Sequence, residues 1–463
     1  MTVTFPTVVL DMTLNDLYRL DNENGYQPTL IHAPFQVHHR SPTTKFIYHS
    51  GLRVAAPVAD NEAVVKLRLW TSPQRHLFAA GNMPAVIVIS GQRECELAAN
   101  AVPFLPAEDF QKSVAVLPPD QRPIITFRTD PDGSILSVNS KVVLSRPTDC
   151  LEHLPHLIDP AVHYEILSKR GLAYSNLPSP PSTVVDTILP PHRLQDSATT
   201  SREATRMAST LDSYEMPFVV KLPQSAGKGT FILWTEAQRS QLKEMLQLQL
   251  KQMLEQLTDA NYDMHPCSLV LQDYIPGKVV ALSLFITRSG RPIFVGCCKQ
   301  NFNGDGHWIG GSISYKHQNK FRERYADYMN QTAKFLHKKG YCGPCGIDIL
   351  TSTSGKQYII DLNARITGTF NLGLVTGHFA QRGLGKAMLN AAYFSCSRAE
   401  FEQHFAAELQ EGRIIVTAWT YDASITLSYG VFMIGGTNGP EIKQQLMQVL
   451  SHAVLDMDGV IEC

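Results

Sequence analysis

Two short apolar stretches with acidic residues inside them decide the fold: Gly346-Ile-Asp-Ile-Leu350 and Tyr358-Ile-Ile-Asp-Leu-Asn-Ala-Arg365. Each has the pattern of a buried strand, and the turn residues between them predict a hairpin. Because side chains alternate along a strand, we expect Asp361 and Asn363 on one face, with Asp348 opposite them. A buried carboxylate without a partner is costly. The pattern therefore indicates that these acidic side chains form a binding or catalytic site and do not lie on a solvated surface.

The residue types on this face suit a metal ion and a phosphate. Asp348, Asp361 and Asn363 offer three oxygen ligands, which Mg²⁺ accepts when phosphate oxygens complete its shell. Arg365 shares the face and suits a phosphate or a developing anion. A structural Asp–Arg salt bridge at a strand end explains the same residues, and on spacing alone both interpretations stay open.

A glycine-rich segment, Lys221-Leu-Pro-Gln-Ser-Ala-Gly-Lys-Gly-Thr230, directly follows a predicted strand. Its glycines and small residues let backbone N–H groups approach a phosphate, and its lysines add positive charge. The G-x-x-x-x-G-K-[ST] spacing of the Walker loop is absent. A phosphate-binding loop and a plain flexible hairpin are therefore the two alternatives.

Three further segments have weaker signals. Gln272-Asp-Tyr-Ile-Pro-Gly277 is a strand that runs into a hinge, where free backbone groups would suit an adenine edge; an ordinary turn is the alternative. The polar loop from Asn301 to Gly311 is of the kind that carries function or is simply mobile, and His307 is the histidine singled out in it. Cys342-Gly-Pro-Cys345 has a thioredoxin-like sequence, but it precedes a strand instead of opening a helix, so a redox role is not favoured.

The composition excludes several classes of protein. The 463 residues carry 41 Lys and Arg against 42 Asp and Glu, a formal net charge of −1, which argues against a general nucleic-acid binder. No run of about 18 apolar residues predicts a membrane helix, and the first residues do not resemble a signal peptide. The 9 cysteines are odd in number and mostly scattered, which favours free thiols in a reducing compartment. We therefore expect a cytoplasmic protein with no membrane partner.

Hydrophobic periodicity and turn residues predict elements elsewhere in the chain. The Pro-rich stretch 177–192 is expected to separate an N-terminal lobe from the rest. Predicted strands are 85–90, 124–127 and 135–138 as a hairpin, 218–221, 269–272 and 281–286. Predicted helices are 94–102, 150–171, 235–257, 321–339, 384–393 and 441–453.

Taken in this order, the segments from about 159 to 370 resemble the ATP-grasp superfamily. Lys169, in Leu-Ser-Lys-Arg-Gly-Leu-Ala-Tyr-Ser-Asn-Leu-Pro-Ser-Pro180, resembles the lysine ahead of the family's proline turn. Lys221 resembles the second phosphate lysine, followed by the mobile glycine-rich loop. Within the superfamily, the chain looks closest to pheganomycin-type peptide ligases, which have an N-terminal pre-ATP-grasp domain.

The resemblance implies a set of site residues. The implied metal ligands are Asp348, Asp361 and Asn363, and the implied catalytic residues are Arg365, Lys299 and His307. The implied nucleotide contacts are Lys169, Lys221, Ser225, Gly227, Lys228, Gly229, Gln272, Asp273, Tyr274 and Ile275. The chain departs from the family pattern at Gln272, where an acid is common, at Val279, where a ribose-binding carboxylate is expected, and at Asp361, where Glu is usual.

The implied fold is α+β: an ATP-grasp fold of two lobes that clamp ATP, preceded by an α/β pre-ATP-grasp domain. The expected domains are 1–155, 156–275 and 276–463. The implied activity is an ATP- and Mg²⁺-dependent carboxylate–amine ligase of secondary metabolism that acts on amino-acid-like molecules through an acylphosphate and releases ADP and phosphate. A kinase acting on a hydroxyl group and a nucleotide-binding protein without turnover are the alternatives. Homodimers are frequent in the family.

Overall fold

The computed structural model describes most of the chain in three β-sheets with helices packed on them. The helix expected at 94–102 lies outside the described residues. Among the helices that are described, none combines the length and apolar character needed to cross a membrane. The described residues are 5–23, 25–33, 42–48, 62–89, 106–129, 132–224, 229–264, 266–302 and 308–454.

The strands and helices are labelled in chain order. Strands β1 to β16 are Gln27–His32, Pro84–Val88, Ile124–Arg128, Ser140–Val143, Ser182–Asp186, Phe218–Lys221, Thr230–Leu233, Ser268–Asp273, Gly277–Ile286, Pro292–Phe302, Trp308–Ser314, Gly343–Ser352, Gln357–Asn363, Lys386–Phe394, Ile414–Asp422 and Leu427–Gly436. Helices α1 to α14 are Leu14–Arg19, Glu62–Ala80, Ala107–Ala115, Pro160–Leu167, Lys169–Ala173, Ser197–Ser209, Glu236–Glu255, Gln318–Arg324, Ala326–Lys338, Phe370–Leu374, Thr376–Ala380, Arg398–His404, Ala406–Gln410 and Gly439–Leu450.

The N-terminal sheet is parallel, with strand order β3-β2-β1-β4. Its central strand β2 is apolar and rich in β-branched residues, as a parallel strand covered on both faces must be. All four carboxyl ends lie at one edge of the sheet. In open α/β sheets this edge is where ligands bind.

The second sheet is antiparallel, with strand order β5-β8-β6-β7, and α6 and α7 share one hydrophobic core with it. Helix α7 begins with a capping box between Thr235 and Gln238. Its buried stripe of Leu246, Leu250 and Leu254, spaced four residues apart, faces the core of this lobe. This sheet and its helices form the small lobe.

The large sheet is antiparallel, with strand order β13-β12-β9-β10-β11-β14-β16-β15. Helix α9 covers one face and packs Met329 and Leu336 into the same core as Ile347 and Ile349 of β12. Helix α2 of the N-terminal domain packs on β15 and β16. Helices α4 and α5 contribute to the large-sheet core rather than to the small-lobe core, although the expected small lobe begins at 156.

Two predicted elements are wrong. Residues 124–127 and 135–138 do not form a hairpin: β3 pairs in parallel with β2, Val138 is 91% exposed, and the next strand begins at Ser140 and pairs with β1. Residues 384–393 are mostly the strand β14 and not a helix. Since β14 lies between β11 and β16, its residues are apolar on both faces, and this removes the alternation that marks a strand.

Two of the long helices predicted from the sequence, 150–171 and 321–339, are each divided into two shorter helices. The stretch predicted as 150–171 contains α4 and α5, which are separated at Ser168. The stretch predicted as 321–339 contains the end of α8 and all of α9, with the break at Tyr325. The break before α5 sets the direction of Lys169, the first residue of that helix.

Candidate active site

The hairpin of β12 and β13 forms as predicted and brings two carboxylates together. Asp348 pairs directly with Asp361, and Gly346 pairs with Asn363. The register shifts immediately after Asp348, so that Ile360 is an extra residue in β13 and the hairpin contains a β-bulge. Bulges redirect side chains near functional sites, and here the bulge lies beside the carboxylate pair.

Asp361 is the centre of the polar contacts at this hairpin. One carboxylate oxygen accepts a hydrogen bond from Lys169 Nζ, and the other accepts one from Asn363 Nδ2 at 3.1 Å. Arg365 Nη2 donates to Asn363 Oδ1 at 3.3 Å, and Nη1 donates to the carbonyl oxygen of Ile366 at 3.1 Å. Asp361 therefore forms its ion pair with Lys169. A structural Asp–Arg salt bridge would require Asp361 to pair with Arg365 instead.

Lys221 reaches the same hairpin from the small lobe. It is the last residue of β6, and its Nζ donates to the carbonyl oxygen of Ile360 at 2.6 Å. Burial lowers the pKa of Lys221 to about 8, although the charges of Asp361 and Asp348 oppose that shift. Lys169, from the large-sheet side, and Lys221, from the small lobe, thus both lie at this hairpin.

The pKa values of the two carboxylates are shifted in opposite directions. Burial, reinforced by the charge of Asp361, raises the pKa of Asp348 to about 7, while a hydrogen bond from Gln300 opposes the rise. Burial also acts to raise the pKa of Asp361, but the charges of Lys169 and Lys221 outweigh it, so this pKa is lowered. A bound divalent cation would stabilise both carboxylates in their charged forms.

The oxygen ligands of this hairpin suit Mg²⁺ only if the phosphate oxygens of a nucleotide complete the coordination shell. Among the residues that the structure describes, no three His, Cys, Asp or Glu side chains gather into a closed metal site. The hairpin provides two carboxylates and the amide oxygen of Asn363. Mg²⁺ in phosphate-binding sites is commonly held by one or two carboxylates, with phosphate oxygens and waters completing an octahedron. Asp348, Asp361 and Asn363 meet that requirement.

Backbone contacts fix the glycine-rich segment relative to Lys169. The N–H of Lys169 donates to the carbonyl oxygen of Pro223 at 2.9 Å, which joins α5 to the end of the strand that carries Lys221. The N–H of Leu222 donates to the carbonyl oxygen of Gly229 at 2.8 Å and closes the base of the glycine-rich loop. The predicted phosphate contacts at the tip of the loop, Ser225, Gly227 and Lys228, lie outside the described residues.

The predicted adenine-reading segment is the direct connection between the small-lobe sheet and the large sheet. Gln272 and Asp273 end β8, and Tyr274 and Ile275 lead into β9. The side chain of Gln272 is buried and donates to Ser182 Oγ at 2.9 Å, so it holds the lobe together at the position where the family commonly has an acid. Contact with an adenine stays a prediction.

The structure does not bring Lys299 to the carboxylates. Lys299 is exposed on β10, and the side chain that bonds Asp348 is the next one, Gln300. Since neighbouring side chains on a strand point to opposite faces, Lys299 lies on the face away from Asp348. Its phosphate contact stays a prediction. His307, the other predicted catalytic residue of this region, lies outside the described residues.

Sequence reasoning missed two residues that support the site. Gln300 bonds Asp348, and nothing in its surroundings marks it except its position beside Lys299. His163, buried in α4, donates from Nε2 to the carbonyl oxygen of Ala364 at 2.8 Å and thereby fixes the segment between Asn363 and Arg365. A buried histidine in a helix gives no sequence signal for such a role.

His163 makes the stability of this region depend on pH. Burial lowers the pKa of His163 to about 4, although its hydrogen bond to Ala364 opposes the shift. In the unfolded chain the pKa is about 6.5, so the unfolded state binds more protons between these values. The stabilisation is therefore complete above about pH 6.5 and is lost as the pH falls towards 4, by up to about 3 kcal/mol.

We expect His163→Gln, which keeps an N–H donor without the titration, to flatten the fall in unfolding free energy between pH 6.5 and 4. Chemical denaturation across that range measures the slope. His153→Gln, at an exposed histidine of the same region, is the control and is expected to keep the wild-type slope. A slope that is equally steep in His163→Gln would contradict the assignment.

The chain was compared with curated proteins, with solved structures and with family models. No curated protein matches the chain. Among solved structures, the chain is similar to N5-carboxyaminoimidazole synthetase from Staphylococcus aureus complexed with ADP (10% identity, 92% of this chain and 97% of that chain, TM-score 0.49). It is also similar to biotin carboxylase from Campylobacter jejuni (10%, 94% and 93%, 0.44) and to an L-amino acid ligase from Bacillus licheniformis (10%, 67% and 79%, 0.41).

A family model described as an ATP-grasp domain matches residues 203–369, a range that contains Lys221, the hinge and the whole β12–β13 hairpin. Lys169 lies outside this range and is joined to it by the backbone contact with Pro223. The expected closeness to pheganomycin-type ligases stays a prediction. Residues 203–369 therefore have the fold of an ATP-grasp domain, set in two α+β lobes that follow an α/β domain with a parallel sheet.

Proposed function

We propose that the protein is an ATP- and Mg²⁺-dependent carboxylate–amine ligase. In the proposed reaction a carboxylate oxygen of the acid attacks the γ-phosphorus of ATP, which forms an acylphosphate and releases ADP. The amine nitrogen then attacks the acyl carbon, phosphate leaves with the bridging oxygen, and the amine loses a proton. The products are an amide, ADP and phosphate.

The observation that carries the proposal is the meeting of Lys169 and Lys221 with Asp348 and Asp361 in the cleft of an ATP-grasp fold. Phosphoryl transfer depends more on positioning and charge neutralisation than on covalent help from the protein. Two lysines that arrive from different segments, opposite a pair of carboxylates suited to Mg²⁺, supply both requirements at one place.

Each residue has a defined part in this proposal. Lys169 and Lys221 bind the phosphates of ATP, and the carboxylate pair, with the amide of Asn363, would hold Mg²⁺. The metal ion would neutralise charge on the transferred phosphoryl group. The guanidinium of Arg365, held by Asn363 and by the backbone, stabilises negative charge on the acylphosphate and on the tetrahedral adduct. The predicted hinge contacts, Gln272 to Ile275, hold the nucleotide base.

The finer parts of the proposal follow from the family resemblance. We propose amino-acid-like substrates of secondary metabolism, a homodimer and a cytoplasmic location. The polar segment from Asn303 to Gly311, of which 303–307 lie outside the described residues, is proposed to shield the acylphosphate from water, since hydrolysis is the side reaction that such ligases must suppress.

Pairwise assays of ADP release test the proposed function. Amino acids are screened two at a time with ATP and Mg²⁺, and single acids are screened with hydroxylamine, which traps an acylphosphate as a hydroxamate. The expected result is ADP release that requires both an acid and an amine. Release with a single polyol or polyol phosphate would establish a kinase, and no release with any pair would support nucleotide binding without turnover.

Lys221→Met is expected to raise the KM for ATP and to lower kcat/KM by about 10²-fold, because it removes a charged contact to phosphate in a buried site. Initial rates against ATP concentration separate kcat from KM. Lys243→Met is the matched control, since Lys243 pairs with Asp212 on the small lobe away from the hairpin. Unchanged kinetics in Lys221→Met would remove Lys221 from the phosphate site.

A further inference from the structure

The short helix α5 contacts both lobes. It touches β5 and β8 of the small-lobe sheet and also β13, the strand of the large sheet that carries Asp361. Lys169 is the first residue of this helix, and its side chain reaches the carboxylate of Asp361. A helix of a single turn does not hold its own conformation in water, so contacts with its surroundings must set the direction of Lys169.

The large-sheet side holds the second half of α5. Leu172 is buried in the core of the large sheet. A Cβ atom built on Gly171 would lie 2.3 Å from the carbonyl oxygen of Glu165, so the absence of a side chain allows α5 to pack closely against the end of α4. Beyond the helix, the carbonyl oxygen of Pro178 accepts a hydrogen bond from the N–H of Ile359 in β13 at 2.7 Å. These contacts attach α5 to the large sheet.

The small lobe holds the first residues of α5. Besides the backbone contact of Lys169 with Pro223, the side chain of Arg170 forms an ion pair with Asp186. Its Nη2 donates to Asp186 Oδ2 at 2.7 Å and its Nε donates to Oδ1 at 3.0 Å, which is the two-bond geometry that gives strong arginine–carboxylate pairs. The ring centroid of Tyr174 lies 4.9 Å from the guanidinium carbon, within the range of a cation–π contact.

Asp186 is itself fixed within the small lobe. It is the last residue of β5 and pairs with Ser268 at the start of β8, whose hydroxyl group donates to the Asp186 carboxylate. The carbonyl oxygen of Asp186 accepts a hydrogen bond from Arg206 Nη2 of α6 at 2.9 Å. Strand β8 continues to Gln272, where the predicted adenine contacts begin. Arg170 therefore connects Lys169 to the strand that leads to the hinge.

The Arg170–Asp186 pair is too exposed to act mainly as a structural support. Both side chains are 29% exposed, and ion pairs that water reaches contribute little to the free energy of unfolding. The start of α5 is capped separately, because Ser168 Oγ accepts a hydrogen bond from the N–H of Arg170 at 3.1 Å. The pair is therefore expected to act on the direction of the first turn of α5 more than on stability.

We propose that Arg170 is a positioning residue: its ion pair with Asp186 ties Lys169 to the small lobe, so that Lys169 and Lys221 approach the phosphates of ATP together. This inference rests on the proposed ligase function and adds to it a residue that acts through Lys169. Without the pair, Leu172 would still hold α5 on the large sheet, but the first turn would lose a contact with the small lobe. Misplacement of a phosphate-binding group by about 1 Å is sufficient to slow such a reaction.

Substitutions at the ion pair test the inference by initial rates against ATP concentration. Arg170→Gln and Asp186→Asn are each expected to lower kcat/KM for ATP about tenfold, mainly by raising KM, while the melting temperature falls by less than about 3 °C. Arg170→Lys keeps the charge, loses the paired hydrogen bonds and is expected to lie between wild type and Arg170→Gln. If Arg170→Gln folds poorly, Asp186→Asn decides the result.

The matched control is Arg291→Gln, which removes a guanidinium that donates to both oxygens of Asp21 at the turn between β9 and β10. Its kinetics are expected to match those of wild type. If Arg291→Gln and Arg170→Gln lowered kcat/KM equally, the effect would be a general one of losing a surface ion pair, and the inference would be overturned.

A double-mutant cycle tests whether Arg170 acts through Lys169. Lys169→Met removes the group that Arg170 is proposed to position, so adding Arg170→Gln to it is expected to lower kcat/KM by less than about twofold. A purely structural role of Arg170 would give the full tenfold loss in both backgrounds. That result would contradict the inference.

Nucleotide binding measured without acid and amine separates this inference from the proposed function. Calorimetric titrations use a non-hydrolysable ATP analogue with Mg²⁺. If no acid–amine pair supports ADP release, but Arg170→Gln weakens analogue binding about tenfold in wild type and less than about twofold in Lys169→Met, the ligase proposal fails and the positioning role stands. If the wild type is an active ligase, and Arg170→Gln changes neither kcat/KM nor analogue binding, the inference is overturned while the ligase function stands.

Discussion

Asp361→Asn is expected to lower the rate of ADP release by at least about 10³-fold while the protein remains folded. The substitution keeps the size of the side chain and one oxygen acceptor, so Asn363 keeps its partner. It removes the negative charge that faces Lys169 and that a magnesium ion would require. The loss is therefore expected mainly in kcat, because the charge acts on the phosphoryl group during transfer.

The control for this prediction is Asp212→Asn, which removes a carboxylate from a lysine pair on the exposed side of the small lobe. Its kinetics are expected to match those of wild type. If the Asp348–Asp361 hairpin were a structural feature only, Asp361→Asn and Asp348→Ala would lower the melting temperature and leave turnover in place. That result would exclude these carboxylates from the chemistry.

Gln74→Leu is expected to lower the free energy of unfolding by about 3 kcal/mol. Gln74 is fully buried where α2 meets β15. Its Oε1 accepts hydrogen bonds from Ser113 Oγ at 2.5 Å and from the N–H of Trp419 at 2.9 Å, and its Nε2 donates to Thr420 Oγ1 at 3.0 Å. Leucine has a similar volume but would leave these buried groups without their partner.

Chemical denaturation followed by tryptophan fluorescence measures this effect, since Trp70 and Trp419 are both buried near Gln74. Gln252→Leu, at an exposed position of α7, makes the same chemical change without burial and is expected to alter stability by less than about 0.5 kcal/mol. If the two substitutions changed the free energy of unfolding equally, the buried hydrogen bonds of Gln74 would not stabilise the packing of the N-terminal domain on the large sheet.

The sequence predicts the centre of the site because its geometry is local. Asp348, Asp361 and Asn363 lie on two consecutive strands joined by a short turn, so alternation alone is sufficient to place them together. Family resemblance indicates Lys169 and Lys221, and the structure brings both to the hairpin. The geometry of a segment can be predicted from sequence when the residues that it contacts are also close to it in the chain.

The parts of the fold that sequence analysis misplaces depend on distant partners. The strand predicted at 124–127 forms, but it pairs with β2 and not with 135–138, and β14 is a strand because β11 and β16 enclose it. Arg75, Arg146 and Arg365 likewise lie in separate segments, and the packing of the N-terminal sheet on the large sheet brings all three near His76. Tertiary contacts of this kind leave no periodicity in the sequence.

Transfer of an isotope label is the most direct test of the central claim that an acylphosphate is formed on the way to an amide. An acid from the pair that releases ADP is labelled with ¹⁸O in its carboxylate, and the released phosphate is analysed by mass spectrometry. We expect one ¹⁸O atom in each phosphate, because the bridging oxygen of the acylphosphate comes from the acid and leaves with phosphorus. Unlabelled phosphate, or AMP and pyrophosphate in place of ADP and phosphate, would contradict it.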